Sequence, residues 1–234
     1  MLSQQFPVLV MEYGSVIFDM DGVLLNSLVS DEKWKYDAVR DALRGKDLDV
    51  DNVSKNDLRC FLGDYGREEC IDVCEEYGLD PGEVWELIAE STNLARVEKL
   101  KEGDFRLYSD ARGFLESLNL RDTELGIISN APEDAVKSTL KVFNVEKYFE
   151  YYRGVEDFQD LRKRKPHPDH IEIAEAELKR KPFLYIGDQA SDIEAANNAG
   201  IDSAWIKRGS NEDIDATYKV EDLEELGEKL GILG

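Results

Sequence analysis

The stretch that decides the fold is Tyr13-Gly14-Ser15-Val16-Ile17-Phe18-Asp19, followed by Met20-Asp21-Gly22. A short run of β-branched and aromatic residues that ends in an acidic turn is typical of a buried parallel strand leaving a sheet. Segments of the same form recur later in the chain, at residues 125–130 and 182–188, with a shorter strand at 203–206.

Helical patterns lie between and after these strands. They cover residues 132–143, 168–178, 191–199 and 220–233, the last as one acidic amphipathic helix that closes the core. Strands that alternate with helices predict an α/β fold with a doubly wound parallel sheet. Ligands bind such a sheet beyond the carboxyl ends of its strands, so Asp19, Asp188 and either Ser129 or Asn130 are expected to converge there.

From about residue 27 to residue 103 the alternation stops, and the chain shows amphipathic helical patterns instead, for example over residues 31–43, 67–77 and 82–94. We therefore expect a core domain of residues 1–26 and 104–234 with a helical cap domain inserted at residues 27–103. Two linkers are expected to act as hinges. A helical insert above the edge where ligands bind suggests a lid.

Composition limits the classes of function. Hydrophobic residues make up 42% and charged residues 34% of the 234 residues, as in a soluble globular protein. The net charge of −22 repels nucleic acid and anionic membranes, and we expect neither as a partner. So acidic a surface fits adaptation to concentrated salt, although an ordinary acidic cytosolic protein is the alternative.

The three cysteines indicate a reducing compartment. Cys60, Cys70 and Cys74 are odd in number, and they lack a fourth Cys or a nearby His that would complete a zinc site. We interpret them as reduced and structural. The start of the chain shows no export signal, and no stretch reaches the length of a membrane span, so a cytoplasmic location is expected.

Asp19 and Asp21 lie two residues apart where the first strand turns, and Gly22 permits backbone conformations that other residues resist. Two carboxylates this close need a cation, and Mg²⁺ prefers oxygen ligands from one or two carboxylates and phosphate. A calcium loop does not fit, because residues 23–25 are apolar where such a loop needs further oxygen ligands. The pattern favours a magnesium site that joins Asp19, Asp188 and a phosphorylated substrate.

Four motifs occur in one order and in matching strand contexts. They are Asp19-x-Asp21-Gly22, Ser129-Asn130, Lys165-Pro166-His167-Pro168-Asp169 and Gly187-Asp188-Gln189-Ala190-Ser191-Asp192. Together they resemble the motifs of the haloacid dehalogenase-like hydrolase superfamily. The helical insert resembles the small cap that follows the first motif in the phosphoglycolate phosphatase and β-phosphoglucomutase branch.

The resemblance implies catalytic roles for four residues and a phosphate contact for a fifth. Asp19 attacks phosphorus, while Asp21 protonates the leaving oxygen and then activates the water that breaks the aspartyl phosphate. Ser129 and the amide of Asn130 bind phosphoryl oxygens. Lys165 holds its ammonium over the nucleophile and the transferring group. Ser129 could instead cap the following helix, and Lys163 and Arg164 compete with Lys165 for its role.

The resemblance also implies Mg²⁺ as the cofactor. Its predicted ligands, direct or through water, are Asp19, Asp21, Asp188 and Asp192. Asp192 could alternatively favour the N-terminus of the helix that it enters.

Substrate contacts are implied for Gly22, Asn130 and Arg67. Arg67 follows a loop that resembles the cap's substrate-specificity loop, where it could grip the distal end of the substrate. Pairing with an exposed Glu on its own helix is an equally good interpretation of this residue.

The predicted function is hydrolysis of a small-metabolite phosphomonoester, such as phosphoglycolate or a sugar phosphate. Asp21 argues against a dehalogenase, since those members lack the second Asp of the first motif. The mutase branch usually carries a His early in the first cap helix, whereas Ser30-Asp31-Glu32-Lys33-Trp34 has none. A β-phosphoglucomutase-like phosphotransferase and a noncatalytic phosphate-sensing protein of the same fold stay open as alternatives.

Overall fold

The architecture comes from a computed structural model that describes residues 13–27, 32–46 and 48–233. Two of the expectations fall outside these ranges. One is the absence of an export signal at the start of the chain, and the other is the beginning of the first cap helix at Asp31.

The described chain alternates strands and helices on either side of a run of helices. The strands are β1 (Ser15–Phe18), β2 (Leu25–Asn26), β3 (Arg106–Leu107), β4 (Glu124–Pro132), β5 (Tyr151–Val155), β6 (Phe183–Gly187), β7 (Asp202–Ile206) and β8 (Tyr218–Val220). The helices are α1 (Lys33–Leu43), α2 (Lys55–Phe61), α3 (Arg67–Glu76), α4 (Pro81–Glu102), α5 (Ala111–Asn119), α6 (Glu133–Phe143), α7 (Asp169–Glu177), α8 (Ala190–Ala199) and α9 (Leu223–Lys229). None of these helices combines the length and the apolar composition that a bilayer crossing requires.

Six strands form one parallel sheet in the order β5-β4-β1-β6-β7-β8. Residues of β1 face opposite sides in turn: Val16 and Phe18 join the cluster that α5, α6 and α9 cover, while Ile17 joins the cluster under α7 and α8. Because both faces are covered, all four residues of β1 are completely buried. The predicted doubly wound parallel sheet is therefore confirmed.

The chain order reverses beside β1, because β4 and β5 lie on one side of it and β6, β7 and β8 lie on the other. A reversal of this kind opens a crevice at the carboxyl ends of the strands. Asp19 follows β1 at that edge, and Asp188 follows β6. Ser129 lies in β4, where the register with β5 shifts between Ile128 and Pro132.

Helices α1 to α4 lie between β2 and β3, which pair antiparallel through Leu25 and Leu107. The two connections to the insert thus meet in one short ribbon. The insert has a hydrophobic cluster of its own, built on residues such as Phe61, Trp85 and Ile88. Helix α4 runs eight residues beyond its predicted end and stops at Gly103, which is left-handed at φ 78°.

A 3-10 helix between β5 and α7 (Phe158–Lys163), called here the 158–163 helix, also belongs to the cluster of the insert. Phe158 and Leu161 pack there although they lie between two strands of the core sheet, β5 and β6, in the chain. The insert is therefore held to the core by apolar burial as well as by the two connections.

Sequence patterns miss the strands β2, β3, β5 and β8 and the helix α5, and they misplace one helix. The edge strand β5 is only half-buried over Tyr151–Arg153, so it lacks the apolar run of a central strand. The helix predicted over residues 220–233 is wrong at both ends. Val220 belongs to β8, and α9 starts only after Asp222, whose carboxylate accepts the N–H of Glu225 at 2.9 Å. The helix then ends at Lys229.

Candidate active site

A cavity of about 350 Å³ lies between the carboxyl edge of the sheet and the helical insert. Its walls bring together most of the predicted site residues, namely Asp19, Asp21, Ser129, Asn130, Lys165 and Asp192. The insert contributes Trp34, Lys35, Thr92 and Arg96, among others. The core and the insert therefore line the same cavity.

Lys165 lies at the centre of the charged groups. Its Nζ is 2.5 Å from Oδ1 of Asp19 and 2.5 Å from Oδ1 of Asp192, and it donates to the hydroxyl of Tyr185 at 2.9 Å. Burial alone would lower the pKa of Lys165, but the two carboxylates outweigh burial and raise this pKa well above its usual value. The ammonium is therefore firmly charged.

Asp19 is buried, with its backbone N–H bonded to the carbonyl of Ile186 at 2.8 Å. Burial raises the pKa of Asp19 well above its usual value, and the charges of Asp192 and Asp188 act in the same direction, whereas Lys165 opposes them. Burial is therefore the main cause of this shift, and Lys165 only partly offsets it.

Asp188 lies directly over the turn that follows β1. A Cβ on Gly22, which has φ +85°, would come within 2.1 Å of the Oδ2 of Asp188, so only glycine leaves room for this carboxylate. Oδ2 accepts from the side chain of Gln189 at 2.8 Å, while Oδ1 is buried without a hydrogen-bond partner in the part of the chain that the structure describes. Burial, together with the charge of Asp192, raises the pKa of Asp188 to about 7.

Asp192 is bonded to protein groups through both oxygens. Oδ2 accepts the backbone N–H of Asp188 at 3.1 Å and that of Gln189 at 2.9 Å, as part of a capping box at the start of α8. Oδ1 holds Lys165. Asp192 therefore caps the helix and orients the lysine at the same time.

A divalent cation fits this group of carboxylates. Asp19, Asp188 and Asp192 each offer an oxygen, and the three oxygens lie within 4.8 Å of one another. The ammonium of Lys165 contacts Asp19 and Asp192, whereas the buried Oδ1 of Asp188 has no hydrogen-bond partner among the described residues, so negative charge stays uncompensated. Mg²⁺ prefers such hard oxygen ligands.

Ser129 and Asn130 lie next to the carboxylates and Lys165, and their side chains make different contacts. The hydroxyl oxygen of Ser129 accepts the N–H of Ala131 at 3.1 Å, and it does not cap α6. The side chain of Asn130 accepts the N–H of Lys165 at 2.9 Å and donates to its carbonyl at 3.2 Å. Asn130 thus fixes the backbone of Lys165, a contact that the motifs do not indicate.

Asp21 faces the insert rather than the cluster around Lys165. Arg96 of α4 binds both of its oxygens, with contacts of 2.9 and 3.1 Å, and the hydroxyl of Ser27 donates to Oδ1. Burial raises the pKa of Asp21, but Arg96 and Ser27 outweigh it, and the pKa lies below its usual value. The structure does not place Asp21 in the group that could hold a metal.

Arg67 does not line the cavity. Its guanidinium lies 5.0 Å from the ring centre of Phe158, and Nη1 binds the exposed carboxylate of Glu68 at 2.7 Å. The Gly22 N–H is likewise engaged, since it donates to the carbonyl of Leu25 at 2.8 Å.

Sequence reasoning misses Arg96 and Tyr185. Arg96 lies beyond the predicted end of its helix, and no motif surrounds it. Tyr185 lies in a predicted strand, where an aromatic residue is expected to serve the core.

The model of the haloacid dehalogenase-like hydrolase family matches residues 16–206. Pyrophosphatase PpaX of Halalkalibacterium halodurans is 24% identical over 206 residues, which are 84% of this chain and 84% of that protein. The phosphoglycolate phosphatase of Salmonella choleraesuis is 33% identical over 116 residues, or 49% of this chain. That match spans only 44% of the phosphoglycolate phosphatase.

Among solved structures, CbbY of Rhodobacter sphaeroides in complex with phosphate has the same fold, with a TM-score of 0.68. The two proteins are 18% identical, and the match covers 92% of this chain and 96% of CbbY. The likeness therefore extends over both the sheet and the helical insert.

The family model spans most of the chain and includes all four motifs. The resemblance inferred from those motifs is thereby confirmed. This chain belongs to the haloacid dehalogenase-like hydrolase family.

Proposed function

We propose that the protein hydrolyses a phosphomonoester of a small metabolite, of the phosphoglycolate or sugar phosphate type, through an aspartyl phosphate on Asp19. The observation that carries the proposal is the Nζ of Lys165, 2.5 Å from both Asp19 and Asp192 in a cavity that Ser129 also lines. A fixed ammonium beside a buried carboxylate can stabilise the charge that develops on a transferring phosphoryl group.

In the first step, an oxygen of Asp19 forms a bond to phosphorus as the bond to the ester oxygen breaks. Asp21 is the residue proposed to give its proton to the leaving oxygen and later to take one from the attacking water. Because Arg96 favours the ionised form of Asp21, we expect the contact between them to loosen when the ester occupies the cavity. Lys165 keeps its charge throughout.

Mg²⁺ is the proposed cofactor. Asp19 and Asp188 are its proposed direct ligands, and Asp192 and Asp21 are proposed to contact it through water. When bound, the cation supplies positive charge that offsets the carboxylates and the phosphoryl oxygens. An oxygen of Asp192 lies near the other two carboxylates, but because both of its oxygens already bind backbone N–H groups or Lys165, Asp192 is proposed to act through water rather than as a direct ligand.

The substrate class is supported by the cavity and by the named relatives. A volume of about 350 Å³ suits a small metabolite. Its walls hold as many cations as carboxylates, on a chain whose net charge is −22, and the cations are Lys35, Arg96, Arg164 and Lys165. The phosphoglycolate phosphatase of Salmonella choleraesuis is among the relatives.

We further propose that residues 27–103 form a cap domain on a core of residues 1–26 and 104–234, with β2 and β3 as its hinge. The separate hydrophobic cluster of the insert and the antiparallel pairing of its two connections support this division. A cytoplasmic location is proposed from the three cysteines, which are buried free thiols.

The test measures phosphate release from a panel of phosphorylated metabolites, with Mg²⁺ or with chelator, at low and at molar salt. We expect release to need the metal, and Asp19→Asn to lower it on the order of 10⁴-fold or more. Mass spectrometry of wild-type protein quenched in acid should find phosphate on the peptide that contains Asp19.

Asp72→Asn is the matched control, because Asp72 is exposed on α3, away from the cavity. Release by Asp19→Asn at the wild-type rate would contradict the role of the nucleophile. If wild-type protein released no phosphate from any ester at either salt concentration, the noncatalytic alternative would replace the proposal.

A further inference from the structure

Arg164 immediately precedes Lys165, yet its side chain reaches the helical insert. Its Nη1 donates to the backbone carbonyl of Gly63 and, at 3.4 Å, to that of Leu62, in the loop between α2 and α3. Both acceptors are main-chain atoms, so the contact depends on where the backbone of the loop lies and not on the side chains of the loop. Neighbouring residues of the chain thus face opposite sides of the cavity.

The loop is shaped to receive this contact. Gly63 has φ +71°, and a Cβ there would lie 2.7 Å from Leu161 and 3.1 Å from the Nη1 of Arg164. Glycine is therefore required twice, for the backbone conformation and for the close approach. Beneath it, Leu161 and Phe158 are buried in the hydrophobic cluster of the insert.

The chain from the 158–163 helix to Lys165, which carries Arg164, is also fixed to the core. Asp160 is buried in the 158–163 helix and accepts hydrogen bonds from Lys163 at 2.6 Å and Arg153 at 3.2 Å, with His170 also at 3.2 Å. Asn130 then brackets the backbone of Lys165 on both sides. A chain of direct contacts therefore runs from the loop of the insert to the nucleophile.

We propose that Arg164 is a positioning residue that couples the seating of the insert to the placement of the Lys165 ammonium on Asp19. With the loop seated, the carbonyls of Leu62 and Gly63 hold the Arg164 side chain on the insert while its backbone holds Lys165 over the core. When the loop moves away from the core, Arg164 loses both acceptors. The backbone of Lys165 then keeps its contacts with Asn130 but loses the support of Arg164 on the insert. This inference rests on the proposed phosphatase function.

The test combines a distance measurement with kinetics. Spin labels are attached at Leu94→Cys on the insert and Leu120→Cys on the core, which are 60% and 83% exposed, while the three native cysteines are buried. Kinetics use p-nitrophenyl phosphate with Mg²⁺. Arg164→Gln is compared with Arg162→Gln, which removes the same charge from an exposed position two residues earlier.

We expect Arg164→Gln to broaden the distribution of distances between the labels and to lower kcat by about 2- to 30-fold, with KM changed less than kcat. Gly63→Ala, on the insert, should change the label distances and kcat in the same direction. The double variant should have a kcat only slightly lower than that of the more damaging single variant. Arg164→Lys, which retains a donor, should recover part of kcat. Arg162→Gln should change neither readout.

The inference is overturned if Arg164→Gln and Gly63→Ala leave kcat at the wild-type value, whether or not the distances change. It is also overturned if their effects on kcat add fully, because the two residues would then act separately. Should Arg164→Gln fail to fold, Arg164→Lys and Gly63→Ala decide the question. An inactive wild-type protein would instead contradict the proposed function, which separates the two failures.

Discussion

The two sides of the cavity balance their charges differently. On the core side, Asp19, Asp188 and Asp192 lie close together, and the ammonium of Lys165 contacts Asp19 and Asp192. On the insert side, Asp21 is matched by one guanidinium, that of Arg96, which binds both carboxylate oxygens. Burial raises the pKa of all three carboxyls, and it stays raised at Asp19 and Asp188, whereas Arg96 and Ser27 outweigh burial at Asp21 and lower the pKa there.

This difference separates two kinds of electrostatic site. On the core side, burial together with the neighbouring carboxylates raises the pKa of Asp19 and Asp188. The insert side is already neutralised, and its ion pair joins two parts of the chain that are 75 residues apart. The first arrangement suits binding of a metal and a phosphoryl group, while the second suits a contact that changes as the cavity fills.

The largest effect is expected from Lys165→Met, which breaks the charge balance on the core side. Loss of the ammonium leaves Asp19 and Asp192 buried together without a cation, which should destabilise the protein by about 3–5 kcal/mol. Phosphate release should fall on the order of 10²- to 10³-fold. Denaturant unfolding and an assay of initial rates measure the two effects.

Lys101→Met is the matched control for this change, because Lys101 is exposed in the last turn of α4. Its stability should change by only a few tenths of a kcal/mol. Equal stability of Lys165→Met and Lys101→Met would show that the core carboxylates do not depend on the ammonium.

A smaller effect is expected from Arg96→Gln, which breaks the pair on the insert side. Asp21 loses its bidentate partner but stays near the cavity, so we expect kcat/KM to fall about 10- to 100-fold. Arg96→Lys should recover only part of this loss, since an ammonium cannot reproduce a bidentate contact. Complete recovery of kcat/KM in Arg96→Lys would mean that only the charge of Arg96 matters and not its bidentate contact. Arg162→Gln serves as the control for the loss of an arginine.

The pH dependence of the metal-free protein tests the charge deficit itself. The pKa of Asp188 is raised from 3.8 to about 7, so its contribution to stability is fully present below about pH 4 and is lost as pH rises through about 7. Protein treated with chelator should therefore have a lower Tm at pH 8 than at pH 5, with a smaller difference in Asp188→Asn.

Addition of Mg²⁺ at pH 8 should raise the Tm of the wild-type protein. At this pH Asp188 has lost its proton, and a bound cation would reduce the repulsion between its carboxylate and the neighbouring ones. The same addition should have little effect on Asp188→Asn. A wild-type Tm that ignores Mg²⁺ at pH 8 would argue against the metal site formed by Asp19 and Asp188.

The core side could be predicted from the sequence because its determinants are local. Apolar runs identify β1, β4 and β6, and parallel strands bring their carboxyl ends to one edge, so the approach of Asp19, Ser129 and Asp188 follows from strand order alone. The fold class and the family were predicted on the same residues. The half-buried strand β5 was missed because it lacks that local signal.

The insert side could not be predicted in the same way, since its contacts depend on how helices pack. Which residue of α4 reaches Asp21 is set by the length and rotation of that helix, and the periodic pattern ends before Arg96. The contact between Arg164 and Gly63 likewise spans 101 positions and ends on a carbonyl, which no residue type encodes. Local sequence thus specifies the nucleophile side and leaves the facing side to tertiary structure.

The smallest effect is expected from Arg67→Gln, and it sharpens the comparison between two arginines of the insert. Arg67 stacks on Phe158 and pairs with an exposed Glu68, whereas Arg96 lines the cavity. Since an exposed pair and a partly exposed cation–π contact are each worth about 1 kcal/mol or less, Arg67→Gln should lower stability slightly. With no contact to the cavity, it should keep kcat/KM for p-nitrophenyl phosphate and for each metabolite ester within about 2-fold of wild type. A selective loss for a larger ester would instead mean that Arg67 reaches the distal end of the substrate once the insert moves, and the specificity-loop interpretation of this residue would then be preferred.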